Sequence, residues 1–381
     1  MKSDVLDTMD QFGPEKVICV SDPKTGMKGV LVVDNTARGM GKGGCRMSPH
    51  VTVGEVCSLA RIMTWKWSLS DLFFGGAKAG IKADPRASNK EEILRSFIRA
   101  LREHIPNNYV FGLDMGLDEG DAAIVIDEAG DRTASVGTPA ELGGVPYDQL
   151  GATGYSTVES CRLAVEYQGG SLKDKRVVIQ GFGAVGLAAA RFLKEEGATI
   201  IAISRSTGVL SDEQGLDIEE LLELEQKHGK EALEEYAAGS LEPLGSELTM
   251  DTDLLVLAAA EDAITEKNVE EVKAPLILEG SNMPITEEAE ARLFAQGKII
   301  LPDFLVNAGG IIAASIAMEA RDSSIPPEPE EVYSLIDKKM ATNVPLVMDR
   351  AEREERLHRE VAMEIARERV QKAMDLRAGR R

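Results

Sequence analysis

Three lysines keep company that lysine seldom keeps. Lys78 lies inside FGGAKAGI (74–81), directly after an apolar LFF. Lys42 lies in GMGKGGCR, and Lys66 lies between two tryptophans in MTWKWSL. A lysine among apolar neighbours loses hydration, and nearby cations further disfavour its charged form. One such amine can bind a carboxylate. A second, pushed toward neutrality, can serve as a base. The glycines beside Lys42 and Lys78, Gly43 and Gly44 among them, let backbone approach a ligand closely. Taken singly, each lysine reads as a surface residue that buries its stem and keeps its head in water. Two in glycine-rich turns, with a third near the end of an apolar helix, point to a site. Asp114, in FGLDMGLDEGD, follows another apolar run. It is either a carboxylate that relays protons to such an amine or a turn or N-cap aspartate.

A second constellation follows the apolar Val177-Val178-Ile179. Gly181, Gly183 and Gly186 form G-x-G-x-x-G, with Phe182, Ala184 and Val185 between them, at the start of LAAARFLKEEGA. Strand, glycines and helix in that order make a dinucleotide site. The first glycine permits the turn, the second admits the pyrophosphate, and the third lets helix and strand pack closely. The helix N-terminus favours the phosphate charge. The next strand, TIIAIS, ends in Ser204-Arg205-Ser206, with no acidic residue for the adenine ribose hydroxyls. An arginine flanked by serines suits a 2′-phosphate, which favours NADP over NAD. Otherwise Arg205 is an exposed arginine clear of the site.

These residues need elements to hold them. VICVSDP and KGVLVVDN read as strands, RGMGKGGCRMSP as a loop and GEVCSLARIMTWKWSLSDL as a helix. FGGAKAGIKADP breaks that periodicity as a glycine turn, and NKEEILRSFIRALREHI restarts it. From 175 onward strands and helices alternate through KRVVIQ, TIIAIS, DLLVLAAA, PLILEGS and IILPDFLV, which predicts a parallel doubly wound sheet. Residues 216–236 read as a pair of solvated helices, 323–331 as a loop and 350–378 as a helix.

The 381 residues suffice for two domains, and 43% hydrophobic with 28% charged residues is normal for a folded soluble chain. A net charge of −21 excludes nucleic acid and anionic membrane as expected partners. The N-terminus has no apolar h-region and no run approaches the roughly 20 apolar residues of a membrane span. Four cysteines without metal spacing read as reduced thiols, so a cytoplasmic location is expected. The four histidines fall in no ligand motif. No metal is expected, and Ser-His chemistry and a 2-hydroxy acid dehydrogenase, which needs a histidine–carboxylate pair, are poor readings.

KGGCRMSP, the Lys66 helix, GGAKAGIKADP, DMGLDEGD, GATGYS, GFGAVG, EGSNMP and PDFLVNAGG run in order over about residues 30 to 320. With them the chain resembles the glutamate/leucine/phenylalanine/valine dehydrogenase family. The resemblance implies an α/β fold of two domains. Residues 1–145 would form a substrate-binding and oligomerisation domain with an open sheet. Residues 146–345 would form a Rossmann-type doubly wound dinucleotide-binding domain. A C-terminal helix, 346–381, would pack back on the first. The active site would be the cleft between them, and a homohexamer is the implied assembly. The implied reaction is reversible NAD(P)-dependent oxidative deamination of an L-amino acid to a 2-oxo acid and ammonia. Lys78 would be the catalytic lysine, Asp114 the proton-shuttling carboxylate and Lys66 the holder of the α-carboxylate. Thr153, Asn282 and Asn307 would surround the nicotinamide and the reacting centre.

Two positions pull the substrate apart. Lys42 falls where the family's glutamate-specific members carry a lysine for the distal carboxylate. Those members also carry a serine four positions after the implied NAGG, where this chain has Ala314. Ser315 is adjacent, but one helical step turns it about 100° away. Cys45-Arg46-Met47 looks more like the leucine-type members. L-Glutamate is the favoured substrate, with a branched-chain, aromatic or other L-amino acid as the alternative. A catalytically silent regulatory homologue would lack Lys78 or Asp114, and both are present.

Overall fold

The computed structural model describes residues 5–145 and 149–378. The expected domain junction at 145/146 abuts residues 146–148, which lie outside the described residues. The chain forms two compact units, one from the described parts of 1–147, 311–332 and 363–381, the other from those of 148–310 and 333–362. The expected partition gave 311–332 to the dinucleotide domain and 346–362 to the first. The structure groups them the other way.

The first unit holds β1 (Lys16–Asp22), β2 (Met27–Asn35), β3 (Gly41–Lys42), β4 (Cys45–Met47), β5 (Gly75–Ile81) and β6 (Tyr109–Val110). Their order is β1-β2-β5-β3-β6, with β4 also paired to β5. Three helices accompany them: α1 (Val53–Leu69), α2 (Lys90–Ala100) and α3 (Glu119–Ala129). Both faces of this sheet are buried, and β2 shows why its sequence is an unbroken apolar run. Leu31 and Val33 pack with Phe97 and Leu94 of α2, while Val30 and Val32 pack with Val56, Cys57 and Ala60 of α1.

FGGAKAGI is not a turn. Residues 75–81 form a central strand, buried along its whole length. Ala77, Ala79 and Ile81 join the α2 side of the core, so Gly76, Lys78 and Gly80 face α1. A Cβ on Gly76 would lie 2.0 Å from Thr64 Oγ1 and 2.5 Å from the Ala60 carbonyl, and one on Gly80 2.7 Å from Val56. The glycines let strand and helix approach closely, which a linear sequence does not distinguish from a turn. The loop expected over 38–49 likewise contains β3 and β4.

The second unit contains β7 (Arg176–Gln180), β8 (Thr199–Arg205), β9 (Gly208–Ser211), β10 (Ser240–Glu242), β11 (Leu254–Leu257), β12 (Leu276–Glu279) and β13 (Ile299–Leu301), ordered β10-β9-β8-β7-β11-β12-β13. Five of these strands are parallel; β9 and β10 add an antiparallel edge that the expectation of a parallel sheet did not include. The strand order reverses at β7, so a crevice opens beyond its C-terminal end. The helices here are α4 (Ala152–Tyr167), α5 (Ala184–Glu195), α6 (Ile218–His228), α7 (Ala232–Glu235), α8 (Glu287–Ala295) and α9 (Asp303–Val306).

Three further helices complete the chain: α10 (Gly309–Ala320), α11 (Pro329–Glu354) and α12 (His358–Ala378). The single helix expected over 350–378 is therefore broken, with Glu355 at φ 52°, and α11 begins inside the expected 323–331 loop. One stretch, Asp303–Ala320, is long and apolar enough to cross a membrane by length and composition, contrary to expectation; 67% of it is buried within the protein.

Candidate active site

In the first unit the sheet brings Lys42, Lys78 and Asp114 together. Lys78, 7% exposed, extends from β5 and its Nζ lies 2.9 Å from Asp114 Oδ2. Arg46 of β4 donates from Nε to the same oxygen at 3.1 Å, and from Nη1 to Glu55 at 2.7 Å. Burial raises the Asp114 pKa, but the Lys78 and Arg46 charges outweigh it and hold the carboxyl below its usual range. The loop carrying Asp114 is fixed by backbone bonds from Cys45 to Gly112 and from Met47 to Met115. Asp114 is no N-cap; Asp118 caps α3.

Lys42, on β3 beside Gly76, is 3% exposed. Its Nζ donates to the carbonyls of Val110 at 3.2 Å and Phe111 at 3.1 Å, and Trp67 Nε1 donates to the Lys42 carbonyl at 3.0 Å. Burial, reinforced by the charges of Lys78 and Arg321, lowers its pKa to about 7. The surrounding glycines are there for want of space. A Cβ on Gly43 would lie 1.7 Å from the Ala77 carbonyl, one on Gly44 2.8 Å from Asp114 Cβ, and one on Gly112 2.5 Å from Lys42 Nζ. Lys66 stands half-buried in the last turn of α1. Ala314, on α10, is half-buried, and Ser315 is turned inward with its hydroxyl donating to the Ile312 carbonyl at 2.6 Å.

In the second unit the GFGAVG turn links β7 to α5. Gly181 has φ +100°, in the region glycine favours, and a Cβ on Gly186 would lie 1.9 Å from the Gly181 carbonyl. A Cβ on Gly183 would meet nothing within 4 Å, and Gly183 caps α5 without a side chain. Tight first and third glycines beside an open second one, at an uncapped helix start, fit a dinucleotide pyrophosphate. Phe182 is buried.

Two expectations about the adenosine end change. Ser204 is 2% exposed and its hydroxyl accepts from the Gly181 N–H at 3.3 Å, so it braces the glycine turn. Arg205 is committed: its guanidinium pairs with Glu225 of α6 at 2.6 and 2.9 Å, and also donates to the carbonyls of Gly229 and Phe182. A single acidic residue twenty positions along the chain closes the arginine that a local reading leaves open.

The other predicted residues gather. Asn307 Nδ2 donates to Asn282 Oδ1 at 3.0 Å. Ser156 of α4 accepts from Gly309 N–H at 2.9 Å and donates to the Val306 carbonyl at 2.8 Å, while a Cβ on Gly310 would lie 3.0 Å from Thr153 Oγ1. Behind them lies a buried network that the sequence did not reveal. Arg359 pairs with Glu279, with Glu290 at 2.9 Å and with Asp303 at 3.0 Å. Glu279 accepts from the Asp303 N–H, and Asp303 from the Met283 N–H. These links tie the strand end before Asn282 to the helix start before Asn307. Burial, against the pull of Arg359, pushes Glu279 up to about 8.

A dinucleotide turn at the switch point of a mainly parallel sheet, with a separate sheet presenting a buried lysine–aspartate pair and a second amine, defines an NAD(P)-dependent oxidoreductase acting on a small substrate. The chain belongs to the Glu/Leu/Phe/Val dehydrogenase family. The Glutamate/Leucine/Phenylalanine/Valine dehydrogenase domain matches residues 143–378, and the family's dimerisation domain matches 14–130. The chain is similar to the glutamate dehydrogenase of Aeropyrum pernix, at 37% identity over 90% of this chain and 85% of that one. It is similar to the NADP-specific glutamate dehydrogenase of Saccharolobus shibatae, at 34% identity over 98% and 92%. Its fold matches the hetero-hexameric glutamate dehydrogenase of Thermus thermophilus in a leucine-bound form, with a TM-score of 0.82 and 31% identity over 96% and 90% of the two chains. The chain is an amino acid dehydrogenase, acting on CH–NH2 donors.

Proposed function

We propose that this enzyme interconverts L-glutamate and 2-oxoglutarate with ammonia, taking NADP in preference to NAD. The observation that carries the reading is the 2.9 Å Lys78–Asp114 pair on the same sheet as buried Lys42. A lysine without a carboxylate in an apolar pocket is unfavourable, so Lys42 argues for an anionic substrate end. The glutamate dehydrogenases among its relatives support this, and the NADP-specific one supports the cofactor. To meet a 2′-phosphate, Arg205 exchanges Glu225 for it. A larger apolar amino acid is the second reading, favoured by Ala314 and the inward turn of Ser315. The missing hydroxyl contact weakens glutamate by about 1.5–3 kcal/mol without abolishing binding.

In this reading Lys66 holds the substrate α-carboxylate, and Gly43 and Gly44 let the substrate approach the backbone. The GFGAVG turn would hold the pyrophosphate of the dinucleotide, whose nicotinamide would supply the hydride acceptor for oxidation of the amino acid Cα–N bond to an imine. Thr153, Asn282 and Asn307 position the reacting groups. Lys78 passes a proton to Asp114 and takes one from the water that attacks the imine carbon. The same pair returns protons to the nitrogen, and ammonia leaves. Arg46 keeps Asp114 aimed at Lys78. The family's dimerisation domain supports an oligomer, which we take to be a homohexamer. Four free cysteines support a cytoplasmic location. The test is Lys78→Ala, which retains cofactor binding by fluorescence titration and loses turnover. Near-wild-type turnover in that variant removes Lys78 from the chemistry.

A further inference from the structure

We propose that Arg321 is a second cation for the distal carboxylate of the substrate, acting beside Lys42 and replacing the hydroxyl that position 314 lacks. The proposal rests on the reading that the substrate carries such a carboxylate.

Arg321 follows Ala314 by seven residues. At about 100° per residue it returns to within about 20° of the same helical direction. Arg321 lies one position past α10, with its backbone N–H on the Ala317 carbonyl at 3.1 Å and its Nη1 on the Met318 carbonyl. Arg321 and Ala317 line a cavity of about 20 Å³ together with Arg132, Ser135, Val136 and Thr138. That is room for about one water-sized group, the size of a carboxylate oxygen.

One carbonyl joins this cavity to Lys42. Phe111 O accepts from Lys42 Nζ at 3.1 Å and from the N–H of cavity-lining Val136 at 3.0 Å. The two cations are poorly served by the protein itself. Among the described residues Lys42 Nζ bonds to carbonyls alone, and Arg321 donates through Nη1 to the Met318 carbonyl. The buried Arg321 Nε has no hydrogen-bond partner among the described residues. Neither cation pairs with a carboxylate there. Asp131, whose pKa Arg321 helps to lower, spends an oxygen on the Thr133 N–H and hydroxyl. Two neighbouring cations, neither in an ion pair with a carboxylate among the described residues, are complementary to an anionic ligand group. A guanidinium fork also binds a carboxylate in two-pronged fashion, which a serine hydroxyl cannot do.

The experiment compares wild type, Arg321→Met and Arg321→Gln in reductive amination of 2-oxoglutarate. Arg321→Gln keeps a donor for the Met318 carbonyl and serves if the Met variant fails to fold. The expected result is a rise of tenfold or more in KM for 2-oxoglutarate, with KM for ammonia and for reduced cofactor within twofold of wild type. An unchanged KM for 2-oxoglutarate in an active variant overturns the proposal and leaves the glutamate reading standing. So does a parallel change in all three KM values, which marks a merely structural residue. A wild-type enzyme inactive on 2-oxoglutarate, yet active on an apolar 2-oxo acid, overturns both.

Discussion

Near pH 7 the charged and neutral forms of Lys42 are about equally populated, because burial and two neighbouring cations lower its pKa to about 7. The unfolded chain, at an ordinary lysine pKa near 10.5, binds more protons between those values. The folded state therefore carries the full penalty of this charge below pH 7 and sheds it as pH rises toward 10.5. A substrate carboxylate reverses the trend locally by stabilising the ammonium. Binding of 2-oxoglutarate above pH 7 should then take up a proton, and KM for 2-oxoglutarate should rise with pH by up to about tenfold per unit. Lys42→Leu should remove that pH dependence and weaken 2-oxoglutarate far more than 2-oxoisocaproate. Equal effects on the two acids would mean that Lys42 does not read the side chain. The lysines were legible in the sequence because their neighbours are so apolar. Arg46 was visible only as part of a CRM string, and Arg321 carried no local signal at all. It is singled out only by a cavity whose other walls, Ile126 and residues 132–145, come from a distant part of the chain.

The strand β5 explains both what the sequence made plain and what it hid. Glycine at 75, 76 and 80 marks close approach in either a turn or a packed strand. The choice is made by α1, whose Thr64, Ala60 and Val56 leave no space for a Cβ. The alternation of a strand then directs Lys78 away from Ala77 and Ala79 and onto the α1 face. The GFGAVG turn was easier to read, because strand, glycines and helix are contiguous. The Arg359 network was not, because its four members are scattered from 279 to 359. Arg359→Met leaves Glu279, Glu290 and Asp303 buried without their cation, and should cost about 3–5 kcal/mol. Urea unfolding at pH 8 should show the loss. At pH 5 it should be smaller, since Glu279 and Glu290, both already raised by burial, take up protons there. An equal loss at both pH values would mean that the network does not act through charge.

For the molecule as a whole, the order of segments along the chain was the most legible property. That order carries the family resemblance, and both family domains match in it. The partition into two units was less legible: the chain changes units after 310, 332 and 362, each time inside a helix and not at the Ser/Pro-rich loop before α11. The residues proposed to read the substrate depend on those same crossings, because Ala314 and Arg321 join the first unit from far downstream. The acidic surface, at net −21, makes an excess of cations around Lys42 and Arg321 a local construction. In the proposed function this construction serves a dicarboxylate in an amino acid dehydrogenase. The most direct test follows absorbance of NADPH and NADH with ammonia and a panel of 2-oxo acids, including 2-oxoglutarate, 2-oxoisocaproate and phenylpyruvate. Oxidation of the reduced cofactor with the highest kcat/KM for 2-oxoglutarate is the expected result. A preference for either apolar acid would contradict the substrate assignment, and no oxidation with any acid would contradict the catalytic role of Lys78 and Asp114.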